Sequence, residues 1–176
     1  MRYMDATEAE VRRIVGELAS TQPELDVEVI DCDPALADTA QFVEAYGYTL
    51  DQSANTLVVI GKSDPPVYVA CVVLATTRLD VNKVVRKKLG VKKCSFAPAE
   101  TTEELSGMKV GGVTPIGLSA HMPLWIDSRV MELDRIVLGG GSRNCKVVGA
   151  PGVLTSLPNV EVVEDLAKVS PEAPVE

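Results

Sequence analysis

Apolar residues along this chain recur with two different periods, and the switches between them mark its elements. Val11, Ile14, Val15 and Leu18 stand at helical spacing behind Thr7-Glu8-Ala9-Glu10, a capping-box sequence, and predict a helix that Pro23 closes. From Asp26 to Asp31, Val27 and Val29 fall on one face and Glu28 and Ile30 on the other, which is a strand pattern. Asp38 or Thr39 caps a second helix carrying Phe42, Val43 and Tyr46 up to Gly47, and a polar connection follows from Leu50 to Asn55.

Thr56 to Ile60 and Val67 to Leu74 are apolar almost throughout and are separated by Gly61-Lys62-Ser63-Asp64-Pro65-Pro66. They predict an antiparallel hairpin with both faces covered. Asp80 caps a helix with Val81, Val84, Val85 and Leu89 on one face and Gly90 at its end. Cys94 to Phe96 reads as a short strand and Pro98 to Leu105 as an acid-rich helix, with Gly107 leading into a glycine-rich stretch. Leu124 to Ile126, Arg135 to Leu138 and Cys145 to Val148 read as strands, the last two joined by the turn Gly139 to Asn144. Val153 to Leu157 and Val162 to Lys168 are short helical candidates. The charged, proline-containing tail from Ser170 to Glu176 is expected to be disordered. Without an internal repeat or a linker, the pattern is that of one mixed α/β (α+β) domain over residues 1–169.

Composition narrows the class. Hydrophobic residues make up 46% of the 176 but aromatics only 4%, so the core is expected to be aliphatic. No apolar run reaches the ~18 residues of a membrane span, and the first residues carry no signal-peptide core, so a cytoplasmic protein is expected. Cys32, Cys71, Cys94 and Cys145 are scattered and there is one histidine. Buried reduced thiols are expected, with neither metal nor cofactor. The net charge of −8 argues against wholesale nucleic-acid binding. Within it, however, Lys83, Arg86, Lys87, Lys88, Lys92 and Lys93 form a run with no acid among them. That run is either a solvated helix face or a phosphate-tracking patch.

Some apparent motifs dissolve. Gly61-Lys62-Ser63 lacks the earlier glycine of a phosphate-binding loop, and Pro65-Pro66 forbids the helix that must follow. Gly139-Gly140-Gly141 opens no strand–helix unit and reads as a tight turn. His121 has no serine or cysteine at triad spacing and is expected on a loop.

The densest stretch is Met108-Lys109-Val110-Gly111-Gly112-Val113-Thr114-Pro115-Ile116-Gly117. Such a run serves either as a turn between core elements or as a loop whose N–H groups hold an anion or a polarised carbonyl. Gly-Gly-Val-Thr-Pro-Ile-Gly resembles the Gly-Gly-x-Ser-Pro-x-Gly loop of the YbaK/ProX family, aminoacyl-tRNA deacylases related to the editing insertion of bacterial prolyl-tRNA synthetase. Leu79-Asp80-Val81-Asn82-Lys83, Val91-Lys92-Lys93, Glu104-Leu105-Ser106-Gly107, Ile126-Asp127 and the triple glycine are also similar to family segments, in the family's order.

The resemblance implies a curved, largely antiparallel sheet surrounded by helices, with a small pocket that admits the acceptor end of a mischarged tRNA. It implies catalysis by amides of Gly111, Gly112, Val113 and Thr114 without a metal. Thr56, Cys71, Pro115, Gly117 and Asp127 would shape the substrate site, and the six cations would hold tRNA. An aminoacyl-tRNA synthetase is a possible partner. Asn55 departs from the family, which places a lysine before the Thr-Leu-x-x strand. Asn55 therefore either takes a hydrogen-bonding part in catalysis or marks a binding module of the same fold with weak activity.

Overall fold

The uninterrupted apolar run from Val67 to Leu74 becomes the centre of the molecule because it is covered on both faces. In the computed structural model, which describes residues 6–169, this run is strand β3 (Val67–Leu74), paired antiparallel with β2 (Ala54–Gly61). Ala70 and Val72 point into one core with Val11, Val15, Ile116, Ile126 and Leu138, while Val69, Cys71 and Val73 point into another with Leu79, Val85, Trp125 and Leu166. Each fully buried side chain of this kind contributes about 1.5–3 kcal/mol.

The remaining elements, in chain order, are α1 (Ala6–Thr21), β1 (Glu28–Asp31), α2 (Thr39–Tyr46), β4 (Thr77–Leu79), α3 (Arg86–Leu89), β5 (Cys94–Phe96), α4 (Ala99–Ser106), β6 (Leu124–Asp127), β7 (Ile136–Gly139), β8 (Cys145–Gly149), α5 (Gly152–Thr155), β9 (Val160–Val163) and β10 (Ala167–Val169). A single wide π-type turn, Val81–Val85, leads into α3, and its first amides are capped by the Asp80 carboxylate, which accepts from Lys83 N–H at 3.1 Å. The strands fall into three sheets with orders β5-β2-β3-β6-β9, β1-β8-β7 and β10-β4. Pairing is antiparallel except where β6 lies between β3 and β9, to both of which it runs parallel. This is a mixed α/β fold.

Three expectations change. The helix from Val162 to Lys168 is instead β9 and β10, edge strands paired with β6 and β4. Leu50 to Asn55 contains a helical turn (Leu50–Gln52) and the first residues of β2. Thr7 and Glu8 lie inside α1 and do not cap it: Thr7 Oγ1 donates to Gly107 O, and the fully buried Glu8 accepts from Ser142 Oγ at 2.6 Å and from Arg12. The tail from Ser170 lies outside the described residues.

Candidate active site at the glycine loop

Gly107 ends α4 in the left-handed conformation, its N–H on Glu103 O, and sends the chain into the glycine loop. Lys109 to Gly112 closes a β-turn through Gly112 N–H to Lys109 O at 2.9 Å. Gly111 is the third residue of that turn, at φ 92°, where a side chain would be strained. Further on, Thr114 N–H meets the buried Met108 Sδ at 3.3 Å. The loop rests on the triple-glycine turn: Gly141 N–H donates to Gly112 O at 2.8 Å, and a Cβ on Gly139 would stand 2.1 Å from Val113 O. The two glycine clusters thus need each other's missing side chains.

This contact forms one wall of a cavity of about 660 Å³. Gly111 and Val113 line it from the loop, Asn55, Thr56 and Val58 from β2, Thr39 and Phe42 from α2, and Lys146 from β8. Val110 and Phe96, both strongly exposed, stand at its edge. Of the four loop amides expected to act, those of Gly112 and Thr114 are spent on Lys109 O and Met108 Sδ, and neither residue lines the cavity. Among the described residues, the N–H groups of Gly111 and Val113 have no acceptor. Loop geometry therefore divides the amides into a structural pair and an available pair.

Asn55 Oδ1 accepts from Thr39 Oγ1 at 3.3 Å. Thr56 Oγ1 is buried without a partner among the described residues, a cost of about 1–3 kcal/mol. The other expected substrate residues lie elsewhere. Cys71 is fully buried in the core between β3 and α3, where burial pushes its thiol up to about 12. Asp127, 1% exposed, accepts from Ala167 N–H at 2.7 Å and from Arg129, tying β6 to β10. Pro115 is buried beneath the loop, and Gly117 faces Glu10 and Ile14 of α1.

Lys146 was not singled out by sequence. β8 alternates, so Val147 enters the central core while Lys146 and Val148 face α2. Only 7% exposed, Lys146 places Nζ 3.2 Å from Gly111 O and 5.6 Å from the centre of the Phe42 ring. Burial lowers its pKa from the usual lysine value, and Arg143 acts in the same direction. Arg143 itself is tied to Asp38 at 3.0 Å and to Pro34 O, and this ion pair holds the Asp38 carboxyl below its ordinary value. The available signal was a lone lysine in the otherwise apolar run Cys145 to Val148.

The six cations of the basic run are all exposed. Lys88 is engaged by Glu161 at 2.7 Å and lies over Trp125, and Arg86 donates to Asn82 O. Among the described residues, Lys83, Lys87, Lys92 and Lys93 form no ion pair. Lys92 and Lys93 lead directly into β5, whose last residue, Phe96, borders the cavity. No group of three or more His, Cys, Asp or Glu suited to a metal occurs among the described residues, nor does any helix long and apolar enough to cross a membrane.

The profile of the aminoacyl-tRNA editing domain matches residues 33–157, which span the cavity and both glycine clusters. The chain belongs to that family. Among its relatives is EbsC of Enterococcus faecalis (strain ATCC 700802 / V583), for which a Cys-tRNA(Pro)/Cys-tRNA(Cys) deacylase activity is proposed. It is 27% identical over 125 residues, 71% of this chain and 74% of EbsC. YwhH of Bacillus subtilis (strain 168) is 26% identical over 148 residues, 84% of this chain and 92% of YwhH. A crystal structure described as a proposed trans-editing enzyme for prolyl tRNA synthetase superposes with a TM-score of 0.72 at 22% identity, covering 92% of this chain and 98% of the other. The hypothetical protein APE2540 superposes with a TM-score of 0.74, also at 22% identity, over 88% of this chain and 99% of its own. These two structures support the fold of this editing-domain protein.

Proposed function

We propose that the chain is a trans-editing deacylase that hydrolyses the ester of a mischarged aminoacyl-tRNA in the glycine-loop cavity. The observation that carries this reading is the pair of unspent amides, Gly111 and Val113, on the wall of a cavity whose volume suits a small ligand. Two such donors are the arrangement needed where negative charge develops on a carbonyl oxygen, and each is worth about 3–4 kcal/mol. Water adds to the ester carbonyl and the carbon–oxygen bond to the ribose breaks. One proton of that water goes to the ribose oxygen, and the amino acid leaves as its carboxylate, giving the other proton to solvent. In this reading Asn55, on the cavity wall, offers its amide to ribose or amino-acid polar atoms.

The acceptor end approaches past β5, where Lys92 and Lys93 meet phosphates and the exposed face of Phe96 stacks on a base. The names attached to the relatives direct the search toward tRNA(Pro) and tRNA(Cys) and toward a prolyl-tRNA synthetase as a working partner in the cytoplasm. A panel of mischarged tRNAs tests the reading. Hydrolysis of at least one above the spontaneous rate is expected. If none is hydrolysed but a stable amide-linked aminoacyl-adenosine binds, the protein is the binding module that Asn55 favours.

A further inference from the structure

Lys146 is the cavity group that the fold's own needs explain least. A lysine is seldom this buried without a carboxylate partner. Asp38, the acid on the nearby α2 cap, is held by Arg143, and Lys146 makes no ion pair among the described residues. An ammonium has three donors, and Gly111 O takes one. That contact puts the charge on Gly111, one of the two residues with an unspent amide, and Lys146 lines the same cavity as Asn55.

We propose that Lys146 is a catalytic residue that holds the scissile carbonyl together with the amides of Gly111 and Val113, supplying from β8 the positive charge that Asn55 lacks. The inference rests on the deacylase reading above. As water adds, the carbonyl oxygen becomes an oxyanion and accepts from the ammonium and the two amides. When the ester bond breaks, the oxyanion returns to a carbonyl and the ammonium keeps its proton throughout.

The groups facing Lys146 are Asp38 on the α2 cap, Arg143 in the triple-glycine turn, Cys32 after β1 and Cys145 on β8. Burial raises both thiols, Cys145 to about 11, and Arg143 lowers Asp38, so within this set Lys146 is the group that gives up a positive charge below its ordinary value as pH rises. Its folded pKa is depressed below the ordinary lysine value. The catalysed rate, corrected for spontaneous hydrolysis, should therefore fall on an alkaline limb below that value.

The test uses the full chain and the variants Lys146→Met, which keeps the apolar stem, and Lys146→Arg. Lys146→Met is expected to lower kcat about a hundredfold with KM changed only a few-fold, and to abolish the alkaline limb. Lys146→Arg should restore part of kcat and move the limb beyond the accessible range. A kcat within threefold of wild type in Lys146→Met, or an unchanged limb, overturns the proposal. A residue that merely staples Gly111 would shift the melting temperature and leave the pH profile alone. Binding of a phosphonate analogue of the aminoacyl-adenosine, whose tetrahedral oxyanion mimics the transition state, gives a readout independent of turnover. At least a tenfold loss of affinity in Lys146→Met supports the proposal even if the tRNA panel is negative, and a change within twofold overturns it.

Discussion

Replacing Gly139 with alanine adds one methyl group at the contact between the two glycine clusters. Gly139 does not have a positive φ, so the backbone accepts alanine and the effect is one of space alone. The new Cβ would lie 2.1 Å from Val113 O, 2.8 Å from Val113 C and 3.1 Å from Gly112 O, whereas ordinary contact begins at 3.4 Å. The neighbours are backbone atoms with no side-chain freedom, so the loop must retreat by about an ångström. Overpacking of this kind costs about 1–3 kcal/mol. For a chain of this size that corresponds to a melting temperature lower by roughly 2–12 °C. An ångström of displacement at the amide of Val113 should lower kcat on the order of a hundredfold. The assay is single-turnover deacylation of a substrate identified by the tRNA panel, alongside thermal unfolding. Gly16→Ala is the control: nothing lies within 4 Å of a Cβ there, and within α1 alanine should stabilise by about 0.5–1 kcal/mol with kcat unchanged. A Gly139→Ala protein that folds and keeps kcat within threefold would refute the placement of the oxyanion at this loop.

Asp127→Ala should cost about 1–3 kcal/mol by orphaning the buried Ala167 N–H, while Arg129 keeps Asp165 and Ala167 O, with kcat unchanged, as calorimetry and kinetics together would show. Reversing Lys92 and Lys93 to Glu should weaken tRNA binding and reduce the slope of log K against log salt by about one per lost phosphate contact; an unchanged slope makes these cations ordinary solvated charges. Phe96→Ala should raise the KM for tRNA roughly tenfold and leave cleavage of a simple aminoacyl ester untouched, as expected for the loss of one base stack.

Local chemistry made most of the fold readable in advance. The β2–β3 hairpin announced itself because burial on both faces demands an unbroken apolar run, and Asp80, Gly47, Gly90 and Gly107 end or begin their helices as their types dictate. What failed was non-local. Glu8 looked like a cap residue because its partner, Ser142, lies 134 positions away. β9 and β10 carry mostly exposed residues at sheet edges, so no strict alternation distinguished them from a helix, and only β6 and β4 give them their shape. The glycine loop was legible as a unit, but the division of labour among its amides depends on Met108 and Lys109 folding back on it. Lys146 became visible only when α2, the loop and β8 met.

The buried Glu8 has a reach that the family boundary hides. The profile match begins at residue 33, whereas α1 ends at Thr21. Through Glu8, α1 grips Ser142, and the neighbouring Gly141 N–H grips Gly112 O, so the loop is suspended from a helix outside the shared segment. Thr7 adds a second tether at Gly107 O, where the loop departs from α4. An editing pocket excised at residues 33–157 would keep every cavity-lining side chain and lose the anchorage that holds the amides of Gly111 and Val113 in place. Among relatives, then, the leading helix and the triple-glycine turn should change in step, even where the leading helix matches no shared profile.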